Sequence, residues 1–191
     1  MDFRKTLSLI KGMLFEPRAT WQAYAAENRD WQYTALTLTL PLIIGSVVAA
    51  WILRLIFSGF YTFGHAGTGI VALLLSVVFA LAGIALMALI LGVFAGVFKG
   101  VNDFSKAFAC VSLAMVPMYI GQVIGTVPWI GLLIIVAAAI WSLVLLYQMI
   151  PSFLAVPSDK RPAHYIVSII AIIVIYVVLA SILGRSIMGA H

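Results

Sequence analysis

The chain has 191 residues, 64% of them hydrophobic and 9% charged, with a formal net charge of +5. Soluble domains carry about 25% charged residues, so this composition excludes an ordinary soluble globule. The basic surplus is not a nucleic-acid platform: five of the eleven Lys and Arg lie before residue 30, interleaved with Asp2, Glu16, Glu27 and Asp30, and none forms a run with aromatic residues. Anionic lipid headgroups are the better counter-charge.

Residues 1–16 read as an amphipathic helix. Phe3, Leu7, Ile10 and Leu14 recur on one helical face, Met13 widens it, and Arg4, Lys5, Ser8 and Lys11 fall opposite. A basic amphipathic helix ahead of a span lies in the membrane interface or packs on the protein's own helices. Pro17 suits the first turn of a second short helix, with Glu16 before it. That helix is expected to carry Trp21 and Tyr24 toward the membrane surface. Residues 1–33 are thus a cytoplasmic head, and 34–187 a membrane domain.

Five runs are long and apolar enough to cross about 30 Å of hydrocarbon. They cover residues 34–57, 69–98, 104–124, 129–150 and 165–186. The predicted fold is an all-α, polytopic five-span bundle. The second run exceeds the hydrocarbon thickness and must tilt or end among headgroups. The first run follows some 30 mixed residues, which argues for an uncleaved first span rather than a signal peptide.

Lys and Arg alternate between connections. The head has five, the 58–68 connection none, the loop at Lys99 and Lys106 two, the 125–128 turn none, and the 151–164 loop two, Lys160 and Arg161. This positive-inside pattern predicts a cytoplasmic N-terminus and an outside C-terminus. Splitting the second run into two spans would invert the later loops. Arg54 and Arg185 fall near the outer ends of their spans, where long side chains snorkel to headgroups.

Small residues recur every four positions at Gly92, Gly96 and Gly100, at Gly121 and Gly125, and at Gly45 and Ala49. Such stripes are helix-packing seams, within one chain or between chains. Pro117 interrupts the third run and predicts a kink, serving as a hinge or simply as shape. Pro128 marks a tight outer hairpin, and Pro151 ends the fourth run. Cys110, the only cysteine, reads as a small buried hydrophobe and permits no disulfide within the chain.

Chemistry inside the bilayer is sparse. No Asp, Glu, Lys or His falls within a run away from its ends, so the relay group of a proton-coupled transporter is not evident. His65, His164 and His191 fall in separate connections or at the terminus, without metal-ligand spacing, and neither HExxH nor GxSxG occurs. No catalytic residue, cofactor or metal site is expected. Tyr119, Tyr147, Gln122 and Gln148 are the innermost polar groups; they line a small pathway or hydrogen-bond between helices.

Several stretches together resemble the Yip domain family, in particular its bacterial branch. They are Leu14-Phe15-Glu16-Pro17-Arg18-Ala19-Thr20-Trp21, Phe104-Ser105-Lys106-Ala107-Phe108 running to Met115-Val116-Pro117, Val127-Pro128-Trp129-Ile130-Gly131, and Trp141-Ser142-Leu143 running through Tyr147 to Pro151 and Leu154. The likeness covers most of the chain and rests on the order of these motifs. Pro17, Trp21, Pro117, Pro128, Gly131, Trp141 and Pro151 are the motif positions it implies. It also implies a multi-pass protein of the bacterial inner membrane with no catalytic machinery. Eukaryotic relatives bind small GTPases, and their cytosolic region carries an Asp-Leu-Tyr-Gly-Pro motif; this chain has no counterpart and a far shorter head.

Two functional expectations follow. The first is a non-enzymatic scaffold whose head organises membrane lipids or recruits an unidentified protein partner. The second is a small-solute channel, transporter or transporter subunit, which with five spans per chain would act as a homo-oligomer.

Overall fold

The computed structural model describes residues 3–57 and 70–188, with side chains described through Leu179 and at Ser181. Everything described is helical or a short connection. In order these are α1 (Phe3–Phe15), α2 (Pro17–Glu27), α3 (Trp31–Thr34), a π-helical turn (Ala35–Thr39), α4 (Leu40–Ile56), α5 (Ile70–Val97), α6 (Phe104–Ala114), α7 (Val116–Ile124), α8 (Gly131–Leu154) and α9 (Arg161–Met188). Five continuous stretches are long and apolar enough to cross a membrane: Trp31–Ile56, Ile70–Val97, Phe104–Ile124, Gly131–Leu154 and Arg161–Leu179. The five-span reading is therefore correct. The 58–68 connection, His65, His191 and the Arg185 side chain lie outside the described residues.

The third span is the hub. Every residue from Ala107 to Ala114 is buried, and α6 or α7 touches α3, α4, α5 and α8 as well as both N-terminal helices. Lipid tails are as apolar as leucine, so close van der Waals fit and interhelical hydrogen bonds must hold such a bundle together. Small residues provide the fit. A side chain on Gly121 would collide with Ala138, and one on Gly125 with Ile135, so α7 lies directly on α8. Gly92 faces Ala107, and Gly96 faces Asn102 at 3.1 Å, which brings α5 onto the start of α6.

The bundle has two unlike ends. At the end carrying α1, α2 and the loops with Lys99, Lys106, Lys160 and Arg161, the centre of the bundle is closely packed: Leu91, Leu113, Leu146, Met149, Ile150 and Leu154 are fully buried. We call this the charged end. Toward the other end the helices separate, and Ile70, Leu74, Val78, Leu132, Leu133 and Val177 are exposed. Such apolar outer faces fit hydrocarbon, not water.

Helix ends follow local chemistry. Asp103 caps α6 by accepting from the N–H groups of Ser105 and Lys106 at 2.8 and 3.2 Å, and Asp30 caps α3 through the Tyr33 N–H at 3.1 Å. Pro151 does not end the fourth span. α8 continues to Leu154, stops at Ala155 in the left-handed region (φ 48°), and its terminal Leu154 carbonyl accepts from the Val101 N–H at 2.7 Å. The fifth span begins earlier than expected, at Arg161, which takes His164 out of the connection and into the helix. There it is fully buried, with Nε2 3.1 Å from the Leu91 carbonyl oxygen and its ring edge-on to Phe98.

Candidate functional site

At the charged end, α1 and α2 form an antiparallel hairpin laid along the bundle. The face of α1 that docks is Thr6, Leu9 and Met13, with Ile10 and Leu14 half-buried; Phe3 and Leu7 point outward. Two of the four stripe residues thus face away from the chain's own helices. Trp21 and Tyr24 also depart from expectation: at 4% and 3% exposure they are buried against the bundle instead of displayed at a membrane surface.

Hydrogen bonding explains the orientation of the hairpin. Pro41 has no N–H to give the Thr37 carbonyl one turn before it. Thr6 Oγ1 donates to that carbonyl at 2.5 Å. The π-helical turn brings Thr34, Thr37 and Thr39 inward; the Tyr24 hydroxyl shares a hydrogen bond with Thr34 at 2.9 Å, and Thr39 donates to Ser112 at 2.9 Å. These threonines, which sequence reasoning passed over, hold the hairpin and the first span to the hub.

A charged knot closes the open end of the hairpin. Lys5 Nζ lies 2.7 Å and Arg29 Nε 3.3 Å from Glu27 Oε2, and both cations sit over the Tyr33 ring. The hydrogen bond from Lys5 holds the Glu27 carboxyl below its ordinary 4.5, and the same bond holds the Lys5 ammonium above 10.5. Burial pushes the Tyr24 phenol up. Between α1 and α2 runs an open groove of about 770 Å³ lined by Arg4, Lys11, Glu16 and Glu27 among others. Along its rim Phe15 is 81% exposed, beside exposed Lys11 and Arg18.

The second feature lies at the opposite end, between α4, α5, α7 and α8. Here is a cavity of about 550 Å³. Ser46, Arg54, Ser76, Tyr119, Gln122 and Thr126 supply its polar lining; Val47, Trp51, Met118 and Ile135 supply apolar walls. On the other side of the α4–α7 contact is an apolar crevice of about 260 Å³, reaching from Ile10 to Ile124 and sharing Ser46 and Tyr119. A side chain on Gly45, within that crevice, would meet nothing within 4 Å, so this glycine seats no helix.

Tyr119 and Gln122 therefore share one cavity, while Gln148 is exposed on α8 outside it. Pro117 places them. It breaks the third span at Met115, and the Met118 N–H turns to donate to Ser142 Oγ on α8 at 3.1 Å. Trp141, beside that serine, is 45% exposed on the outer face of α8. Pro128 lies in the α7–α8 turn, and Gly131 opens α8 where any side chain would strike the Gly125 carbonyl. Gly100 lies beyond the end of α5, pressed on the Leu154 carbonyl oxygen. Pro17 starts α2, and Pro151 sits inside α8. Among the described residues no three His, Cys, Asp or Glu side chains gather as a metal site. The addition that sequence reasoning missed is Arg54, which joins Tyr119 and Gln122; the signal was its position on the face of the first span shared with Val47, Ala50 and Trp51.

The family model described as the Yip1 domain matches residues 11–182. No curated protein and no solved structure matches the chain.

Proposed function

The chain belongs to the Yip1 domain family, and from that premise we propose that it is a non-enzymatic scaffold of the bacterial inner membrane that organises lipid or recruits a partner through its hairpin. The charged end faces the cytoplasm in this reading, which the distribution of Lys and Arg supports. One observation carries the reading: α1 buries Thr6, Leu9 and Met13 while leaving Phe3, Leu7 and Phe15 exposed, on a hairpin that also exposes Arg4, Lys11 and Arg18. Apolar anchors beside cations suit an anionic headgroup layer or a partner seated within it. Bundle length allows this. The 28 residues of α5 make about 42 Å at 1.5 Å each, against about 30 Å of hydrocarbon, so roughly 10 Å is left for the headgroup layer.

Photocrosslinking in cells from probes at Leu7 and Phe15 tests the scaffold reading. A recurrent adduct, with anionic lipid or with one protein, is the expected result. Adducts no more frequent or specific than those of a probe at Asp159 would remove the hairpin from any such role.

The cavity at Tyr119 and Gln122 favours a second reading, a small-solute channel or transporter subunit acting as an oligomer. Flux of small solutes across proteoliposomes, lowered by Gln122→Leu, would support it. A monomer without flux would dismiss it.

A further inference from the structure

We propose that the cavity between α4, α5, α7 and α8 is a binding site for one anionic lipid, its headgroup held by Arg54 and Gln122 and its chain against Val47 and Met118. This goes beyond the scaffold reading and does not rest on it, because it concerns the opposite end of the bundle and none of the hairpin.

Charge is the first argument. The chain has six Asp and Glu side chains: Asp2, Glu16, Glu27, Asp30, Asp103 and Asp159. All fall in the head or in the two connections at the charged end. Arg54 is 23 residues beyond Trp31 along one continuous helical stretch, about 35 Å away. None of the described carboxylate side chains comes near it. A guanidinium at the end of a span draws an anion from the surrounding headgroup layer.

The lining is the second argument. A cation that merely snorkels needs no cavity, yet Arg54 borders one of about 550 Å³, within the range of small-molecule sites. Gln122 and Ser76 line the same cavity from α7 and α5. A guanidinium and a side-chain amide form a donor set for phosphate oxygens, and the guanidinium can bind two at once.

Depth and wall chemistry identify the anion as a lipid rather than a free solute. Arg54 lies at the far end of its span, level with headgroups, while Val47, Ala50 and Met118 give the same cavity an apolar floor toward the hydrocarbon. The crevice on the other side of the α4–α7 contact adds a second apolar surface at Ser46 and Tyr119. A diacyl phosphodiester with a net negative headgroup satisfies both halves.

Native mass spectrometry of the delipidated full chain, titrated with phosphatidylglycerol or phosphatidylcholine, tests this. Expected is one tight phosphatidylglycerol per chain, preferred over phosphatidylcholine. Arg54→Gln weakens that first binding about tenfold, the scale of a lost charge-assisted hydrogen bond pair. Lys160→Gln, a cation outside both the cavity and the hairpin, leaves it unchanged. Gln122→Leu, on a different helix, lowers it at least about twofold and decides the matter should Arg54→Gln aggregate. Equal affinity in Arg54→Gln and the parent, or equal loss in Lys160→Gln, would overturn the site. Displacement of the lipid by inorganic phosphate at comparable concentration would assign the cavity to free anions and overturn the lipid.

Discussion

The backbone N–H of Met118 donates to the hydroxyl of Ser142 across the α7–α8 interface at 3.1 Å. The relationship explains how Pro117 is tolerated in the most buried span. A proline interrupts the helical ladder, and an amide left unpaired in hydrocarbon costs several kcal/mol. Here a serine on the neighbouring helix accepts in place of the broken ladder. Ser142→Ala leaves that amide unpaired and is expected to destabilise the chain by about 1–3 kcal/mol. Pro117→Ala in the same background lets α6 and α7 merge and recovers part of the loss. Thermal unfolding of the four proteins in detergent gives the coupling; strictly additive losses would mean that serine and proline act separately.

The hairpin depends on the same device. Thr6→Val removes the donor that satisfies the Thr37 carbonyl while keeping shape, and the cost is about 1–2 kcal/mol. Trp21→Ala, at a 4%-exposed position, costs more, about 3–5 kcal/mol. Both should loosen the hairpin selectively. Limited trypsin digestion reads this directly, since Arg4, Lys5, Lys11 and Arg18 all lie on it. Faster cleavage there, with the five spans still protected, is the expected pattern. Unchanged cleavage in Trp21→Ala would show that docking does not hold the hairpin.

The Lys5–Glu27 pair gives the hairpin a defined pH window. Glu27 titrates below its ordinary 4.5, so its contribution is complete above that value and disappears as pH falls through the lower, folded one. Lys5 titrates above 10.5, so its contribution is complete below that value and disappears as pH rises past it. Both side chains are partly solvated, at 26% and 33% exposure, which limits the pair to about 0.2–1 kcal/mol. Glu27→Gln should lower the melting temperature by about 1–3 °C throughout the window and by less outside it. High salt should shrink the difference too. A constant difference from pH 3 to 7 would contradict the pairing.

Span number and helix order were legible because hydropathy over 20 residues is a sum, insensitive to any single side chain. Orientation of faces was not. Phe3, Leu7, Ile10 and Leu14 form a valid stripe, yet α1 turned to bring Thr6 to the carbonyl that Pro41 strands. One hydrogen bond in an apolar setting outweighed part of a hydrophobic face. Likewise the pattern placed Trp21 and Tyr24 on a helix but not against the hub, which needs the π-helical turn at Ala35–Thr39 to rotate Thr34 inward. Of the cavity, Tyr119 and Gln122 were visible as polar residues in an apolar run. Arg54 was visible only as a cation near a span end, since its company depends on how four helices diverge.

Two glycines with the same apparent role separate packing from mere smallness. Gly100 and Gly45 both begin or extend four-residue stripes. A side chain at Gly100 would come 2.6 Å from the Leu154 carbonyl oxygen and 2.7 Å from Val156 Cγ2, against backbone that already bonds Val101. Gly100→Ala must push the α5–α6 connection off the end of α8, at about 1–3 kcal/mol, or roughly 2–10 °C in melting temperature. At Gly45 a methyl group enters open space, and Gly45→Ala should stabilise by about 0.5–1 kcal/mol through backbone entropy alone. Opposite signs at the two positions, measured by thermal unfolding under identical detergent conditions, are the expected outcome. Destabilisation by Gly45→Ala would reveal a surface that contacts the crevice from outside the chain, and the crevice beside Tyr119 would then be an interface between copies rather than a surface for acyl chains.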